Sequence, residues 1–148
     1  MPHLTPVLVQ TPAHSQVAGP LTYTSGQALP PGTLVRVPLG QREVLGVVWD
    51  GAPEPAPGAA LRPITAVLDA LAPLPADWRA LVAFAARYYQ RATGEVALAS
   101  LPPALRDLDG VQLARRLQRK APATAASPAE TPPTLSPEQQ QVLAQIEA

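Results

Sequence analysis

Leu21–Asp50 reads LTYTSGQALPPGTLVRVPLGQREVLGVVWD, and its periodicity decides the fold class. Thr33–Leu39 alternates, with Val35 and Val37 on one face and Leu34 and Arg36 on the other, which is the period of a strand. Glu43–Trp49 is a second strand-like run, and Gly40-Gln41-Arg42 between the two is a short glycine-containing loop. The pair is therefore predicted to form a β-hairpin. Gly46, inside the second run, marks a bulge or a close approach by another backbone. Leu21–Thr24 is a further strand, entered through Gly19-Pro20 and left through Ser25-Gly26. Outside this stretch, Val7–Gln10 is a short β-branched run. Gly51–Ala60, with three prolines and two glycines, is a loop. Leu61–Leu68 completes five strands, with Pro63 confining it to an edge or a strand start.

The period then changes. Ala76–Gln90 places Trp78, Leu81, Val82, Ala85, Tyr88 and Tyr89 near one helical face. Pro73 and Pro75 bound this helix on one side, and Thr93-Gly94 is expected to end it. Tyr88 and Tyr89 are adjacent and cannot face the same way, so one is expected in the core. Val96–Leu101 reads as a short second helix stopped by Pro102-Pro103, and Leu105–Lys120 as partly helical. Ala121–Thr134 is proline-, alanine- and threonine-rich and offers too little apolar area to offset its chain entropy, so it reads as a flexible linker. Ser136 follows as a helix N-cap, with Pro137 at the first helical position and Gln139 completing a capping box. The expected class is α+β. It comprises a small β-rich, barrel-like antiparallel domain with a C-terminal helical pair (1–108), a basic segment and linker (109–134), and one further helix (135–148) that opens a second domain.

Composition bounds the chemistry. A chain of 148 residues fits one domain or one domain and part of another. It is 47% hydrophobic, 15% charged and formally neutral, which opposes a wholly disordered reading despite 20 prolines. Without cysteine there is no disulfide, thiolate nucleophile, iron–sulfur cluster or cysteine-based zinc site. His3 and His14 lie in an extended N-terminal segment and read as surface residues rather than metal ligands. No secretory leader is evident, and the longest purely apolar run, Ala80–Ala86, is too short to span a bilayer, so the expected location is cytoplasmic. No phosphate-cradling G-x-x-x-x-G-K-[ST] loop is present, nor G-x-G-x-x-G, H-E-x-x-H or G-x-S-x-G. The charge-dense place is Arg115, Arg116, Arg119 and Lys120, with no acid between Val111 and Lys120. It reads either as a solvated segment or as a sequence-independent phosphate tether. Residues 1–110 are not net basic, so nucleic-acid binding there would depend on a shaped pocket more than on phosphate neutralisation.

Three stretches carry a family resemblance. The tract G-x-x-V-R-V-P-L-G at Gly32–Gly40 runs on into R-x-x-x-G-V-V at Arg42–Val48. The second stretch is DWRALVAFAARYYQRATGEVALASLPPALR at Asp77–Arg106, with its Trp-Arg, Ala-Ala-x-Tyr-Tyr, Gly-Glu-Val and Leu-Pro series. The third is LRPITAVLD at Leu61–Asp69. Over about residues 6–106 the chain resembles the N-terminal DNA-binding domain of primosomal protein N′, the PriA replication-restart helicase of bacteria. Leu135–Ala148 is similar to the first helix of that family's winged-helix domain. The resemblance implies the amino-terminal part of a longer helicase. That helicase grips the 3′ end of a nascent strand at abandoned forks and D-loops, and helps reload the replicative helicase with other primosome proteins and single-strand-binding protein.

In that family the 3′-end pocket combines a Phe-Asp-Tyr-like tripeptide, a Pro-x-Gly turn and a basic residue before the fifth strand. The matching positions here are Leu21, Thr22 and Tyr23, then Gly40, then Arg62. Leu21 lacks the ring on which a base could stack. Thr22 replaces an aspartate with a group that donates and accepts but carries no charge. Tyr23 then offers the remaining stacking face, and Arg62 an anchor for the preceding phosphate; the alternative is that Leu21 and Tyr23 are strand core, Gly40 serves only the turn and Arg62 is a solvated edge residue. No cofactor is expected in these residues, because ATP, magnesium and zinc belong to the family's helicase part. The competing reading, prompted by Leu21 and Thr22, is a protein-interaction platform of the primosome with a degenerate pocket.

Overall fold

The computed structural model describes residues 1–12, 15, 17, 19–58, 60–119 and 135–146. His14, Lys120 and the segment read as a linker, 121–134, lie outside the described residues. Two compact units are present, Met1–Gln118 and Arg119–Ala148.

The first unit is a curled antiparallel sheet backed by helices. Its strands are β1 (His3–Val9), β2 (Leu21–Ser25), β3 (Leu34–Leu39), β4 (Arg42–Val48) and β5 (Ala66–Val67), in the spatial order β2-β1-β4-β3-β5. Alternation sorts their side chains into two apolar clusters. Val7, Val9, Tyr23, Val35, Val37 and Val48 fill the concave side. Leu8, Leu34, Leu45 and Val47 face the helices and meet Val82, Ala97, Leu98, Leu101, Leu108 and Leu113. The α+β class, the β-rich domain and the β3–β4 hairpin stand as read from the sequence.

Four elements differ from expectation. β1 begins at His3 rather than Val7, and Pro6 sits within it. Proline is tolerated there because it needs no donor, and its carbonyl accepts the Trp49 amide at 2.8 Å. Leu61–Leu68 is not one strand, since only Ala66–Val67 pairs with β3. Before it, the chain crosses to the other edge: the Arg62 carbonyl accepts the Thr24 amide at 2.9 Å, and the Ile64 amide donates to the Thr24 carbonyl at 2.8 Å. Pro63 lies between those two bonds, where a missing N–H costs nothing. This segment links the two edges of the sheet and gives it its barrel-like curl. Thr93-Gly94 does not merely end a helix. The first helix, α1 (Ala76–Tyr88), stops through Gln90 at φ 52°, and Thr93-Gly94 opens α2 (Thr93–Ala99).

Gly94 explains that start. A Cβ there would collide with the Val9 carbonyl, so glycine lets α2 pack on the β1 backbone. Gly46 resolves as the close approach and not a bulge, because the β3–β4 register is continuous and a Cβ would lie 2.5 Å from Val7 Cγ1. The fourth difference concerns α1. Val82 and Ala86, one turn apart, face the core, whereas Leu81, Phe84, Tyr88 and Tyr89 are exposed. Neither tyrosine is in the core. The small Ala86 permits the close helix packing, and that rotation turns the rings outward.

Two further short helices complete this unit, α3 (Ala104–Asp107) and α4 (Gly110–Gln118). Between them Asp109 Oδ1 accepts the Gln112 amide at 2.7 Å, a side-chain cap that the sequence reading missed. Arg36, buried on β3, donates to the carbonyls of Leu105, Arg106 and Leu108, so its charge meets the C-terminal end of α3 without a carboxylate. In the second unit, α5 is Pro137–Ile146. Its capping box is present as predicted: Gln139 N–H donates to Ser136 Oγ at 3.3 Å, and Ser136 N–H to Gln139 Oε1 at 2.9 Å.

Candidate functional site

The five residues matched from sequence come from three separated segments, and all five line one cleft of about 250 Å³. The cleft lies where the start of β2, the end of β3 with its turn, and the chain before Pro63 meet. β2 is held from both sides, by β1 and by the backbone at Arg62 and Ile64, so its residues are fixed relative to Arg62. Gly40 occupies the first position of the two-residue loop between Leu39 and Arg42 at φ 61°, a value that side chains other than glycine adopt with strain. A Cβ at Gly40 would meet no atom within 4 Å, so the face it leaves bare is open to a ligand.

Arg62 joins the two far walls. Its Nη1 donates to the Gly40 carbonyl at 2.8 Å. It has no carboxylate within ion-pair distance among the described residues, unlike Arg79, which grips Asp50 at 2.7 Å. The remaining guanidinium donors of Arg62 can therefore meet a phosphate or carboxylate.

Of the two readings of Tyr23, stacking face and strand core, the structure shows the core. It is 4% exposed, its ring packs in the concave cluster, and its hydroxyl donates to the Pro38 carbonyl at 3.0 Å. It cannot present an open stacking face. Instead it braces the end of β3 against β2 and fixes the cleft floor. Burial raises its phenol pKa above the ordinary value, while the Arg62 charge pulls it down. Leu21 is half-buried against the same cluster. Thr22 sits between them, and its Oγ1 is buried with no hydrogen-bond partner among the described residues. A buried unpaired hydroxyl costs the fold free energy, and a ligand reaches it only if the cleft wall shifts.

Glu54, Pro55 and Ala56 complete the wall. Sequence reading placed them only in a loop, and nothing in their pattern says where that loop folds. Arg115 and Arg116 do not line the cleft. Arg115 and Arg116 are exposed in the last turn of α4, where the helix dipole favours cations, and Arg119 lies just beyond. Among the described residues no group of three or more His, Asp or Glu could hold a metal ion, and no helix is long and apolar enough to cross a membrane.

A family model described as the PriA 3′-DNA-binding domain (3′BD) matches residues 6–102. The chain belongs to the PriA 3′-DNA-binding domain family. It therefore carries a DNA-binding module, and the ligand class is the 3′ end of DNA. The match spans β1 to the end of α2 and the first residues beyond it, so it takes in every side of the cleft. α3 and α4 lie outside the matched residues. They are nonetheless fastened to the 3′-DNA-binding domain through Arg36 and through the buried Leu108 and Leu113.

Proposed function

We propose that the cleft seats the terminal nucleotide of a 3′-ended strand, and that the chain serves a replication-restart helicase by engaging nascent strands at stalled forks and D-loops. The observation that carries this reading is the convergence of Leu21, Thr22, Tyr23, Gly40 and Arg62 on one small concavity. Its chemistry suits a strand end. The bare face at Gly40 admits a sugar to the backbone, the Thr22 hydroxyl lacks a partner, and Arg62 offers donors to the phosphate one step inward. On this reading the cleft wall beyond the terminal sugar leaves no room for a further 3′ phosphate, so end recognition follows from shape rather than net charge. Selectivity among bases rests on little here, because Tyr23 is inside the core and Thr22 has no charge.

The test is amide chemical-shift mapping of the chain with a short 3′-hydroxyl oligonucleotide, alongside binding to forks with the leading-strand 3′ end at the branch or displaced from it. The reading expects shifts confined to Thr22, Gly40, Arg62 and their neighbours, with preference for the fork whose 3′ end is at the branch. Shifts concentrated on α1 would reject it.

That outcome would favour the second reading, a docking platform for other primosome proteins. Its support is the exposed ring cluster on α1, where Phe84 stacks on Tyr88 at 5.9 Å and Tyr88 meets Tyr89 edge-on at 5.0 Å. Rings exposed together in this way are common at protein contacts.

A further inference from the structure

The hairpin turn has two sides, and only one faces the cleft. On the other lies a larger groove, of about 600 Å³, that shares Leu39 and Gly40 with it and is otherwise lined by Gln10, Thr11, Pro12, Arg42 and Val44. Two concavities therefore abut across Leu39 and Gly40, and at Gly40 no side chain divides them.

Charge distinguishes the ways out of the cleft. The loop wall carries Glu54, an exposed carboxylate that repels a polyanion. The groove beyond Gly40 carries Arg42, which is exposed, and among the described residues Arg42 has no ion-pair partner and no acid lines the groove. Gln10 and Thr11 add neutral donors and acceptors, and Leu39, Pro12 and Val44 give the groove an apolar bed. A polar rim with one cation over an apolar bed suits a sugar–phosphate chain held by its backbone.

We infer that this groove is the track for the nucleotides just upstream of the 3′ terminus, with Arg42 neutralising one of their phosphates. The inference rests on the cleft being the seat of the terminal nucleotide. It assigns the strand a direction: over Gly40, away from Glu54 and towards Gln10. Arg62 and Arg42 then stand on either side of the turn, one for the phosphate at the seat and one for a phosphate in the track.

The experiment compares a dinucleotide and a tetranucleotide with the same free 3′ end, each titrated into the wild-type chain, Arg42→Ala and Gln10→Glu across a salt series. Both side chains are exposed, so the fold should persist, and circular dichroism checks it. The track predicts that the tetranucleotide binds more tightly than the dinucleotide to wild type and that both variants lose this gain. Arg42→Ala should also lower the tetranucleotide's log–log salt slope by about 0.7 while leaving the dinucleotide's slope unchanged. Equal losses for both lengths, or an unchanged length gain, would overturn the track. Failure of the underlying reading looks different: wild type would then fail to distinguish a 3′-hydroxyl from a 3′-phosphate dinucleotide, whatever Arg42 does.

Discussion

At the scale of single residues, Thr22 and Tyr23 differ in how their hydroxyls are met: that of Thr22 has no partner among the described residues, and that of Tyr23 donates to the Pro38 carbonyl. A buried hydroxyl without a partner costs roughly 1–3 kcal/mol. Thr22→Val keeps the shape and removes that cost, so it should raise stability by about 1 kcal/mol in urea unfolding while weakening binding of a 3′-ended oligonucleotide. Thr22→Asp should sharpen discrimination among terminal bases, read by anisotropy with the four otherwise identical strands. Tyr23→Phe should cost about 1 kcal/mol by removing the bond to the Pro38 carbonyl. Its pH signature follows from the sign of the shift. The folded pKa lies above the ordinary 10.0, so the stability from keeping the phenol neutral is complete below about pH 10 and is lost as pH rises through the folded value. Urea midpoints should therefore fall less steeply above pH 10 for Tyr23→Phe than for wild type. The sequence did show that positions 21–23 belonged together. It could not show which of them faces a ligand, because alternation assigns faces only once the far wall is known.

At the scale of elements, two glycines with opposite surroundings test the account of the hairpin and of α2. Gly40→Leu meets open space but must hold a positive φ, a cost of about 1–2 kcal/mol, and its side chain should abolish the preference for a free 3′-hydroxyl while the fold survives. Gly94→Ala has an ordinary backbone angle but collides with the Val9 carbonyl, so it should cost more than about 2 kcal/mol and shift the urea midpoint well beyond that of Gly40→Leu. The hairpin and the α5 capping box were legible because each is written in neighbouring residues. Leu61–Leu68 was not, since its pairing partners, Thr24 and Arg36, are remote in the chain. The start of α2 was misread for a similar reason: Gly94 resembles a helix terminator locally, and only Val9 across the interface reveals its packing role. On α1 the apolar pattern was wide enough to fit two rotations, and the contact at Ala86 selected the one that exposes Tyr88 and Tyr89.

At the scale of the whole molecule, the chain is formally neutral, so on our proposal its DNA-binding module relies on shape at the cleft and on a few local charges elsewhere. The basic residues Arg115, Arg116, Arg119 and Lys120 lie in sequence next to a segment whose composition predicts a linker, which would suit a tether. Replacing all four by alanine should reduce the salt slope for single strands by up to about 0.7 per lost phosphate contact, with end preference intact. An unchanged slope would leave them as a solvated segment. The family was legible because its motifs fall on the hairpin, whose turn lines the cleft, and on α1 and α2, which pack on the other side of the sheet. The cleft's loop wall and the groove across Gly40 were not, being made of residues with no spacing in common. The central claim is that the cleft recognises a strand terminus. The measurement that meets it most directly is the ratio of dissociation constants for two oligonucleotides that differ only in a 3′-hydroxyl or a 3′-phosphate, titrated into the wild-type chain at fixed salt. The account predicts clearly tighter binding of the 3′-hydroxyl strand, a preference that Gly40→Leu removes; equal affinity of the wild-type chain for both strands would contradict it.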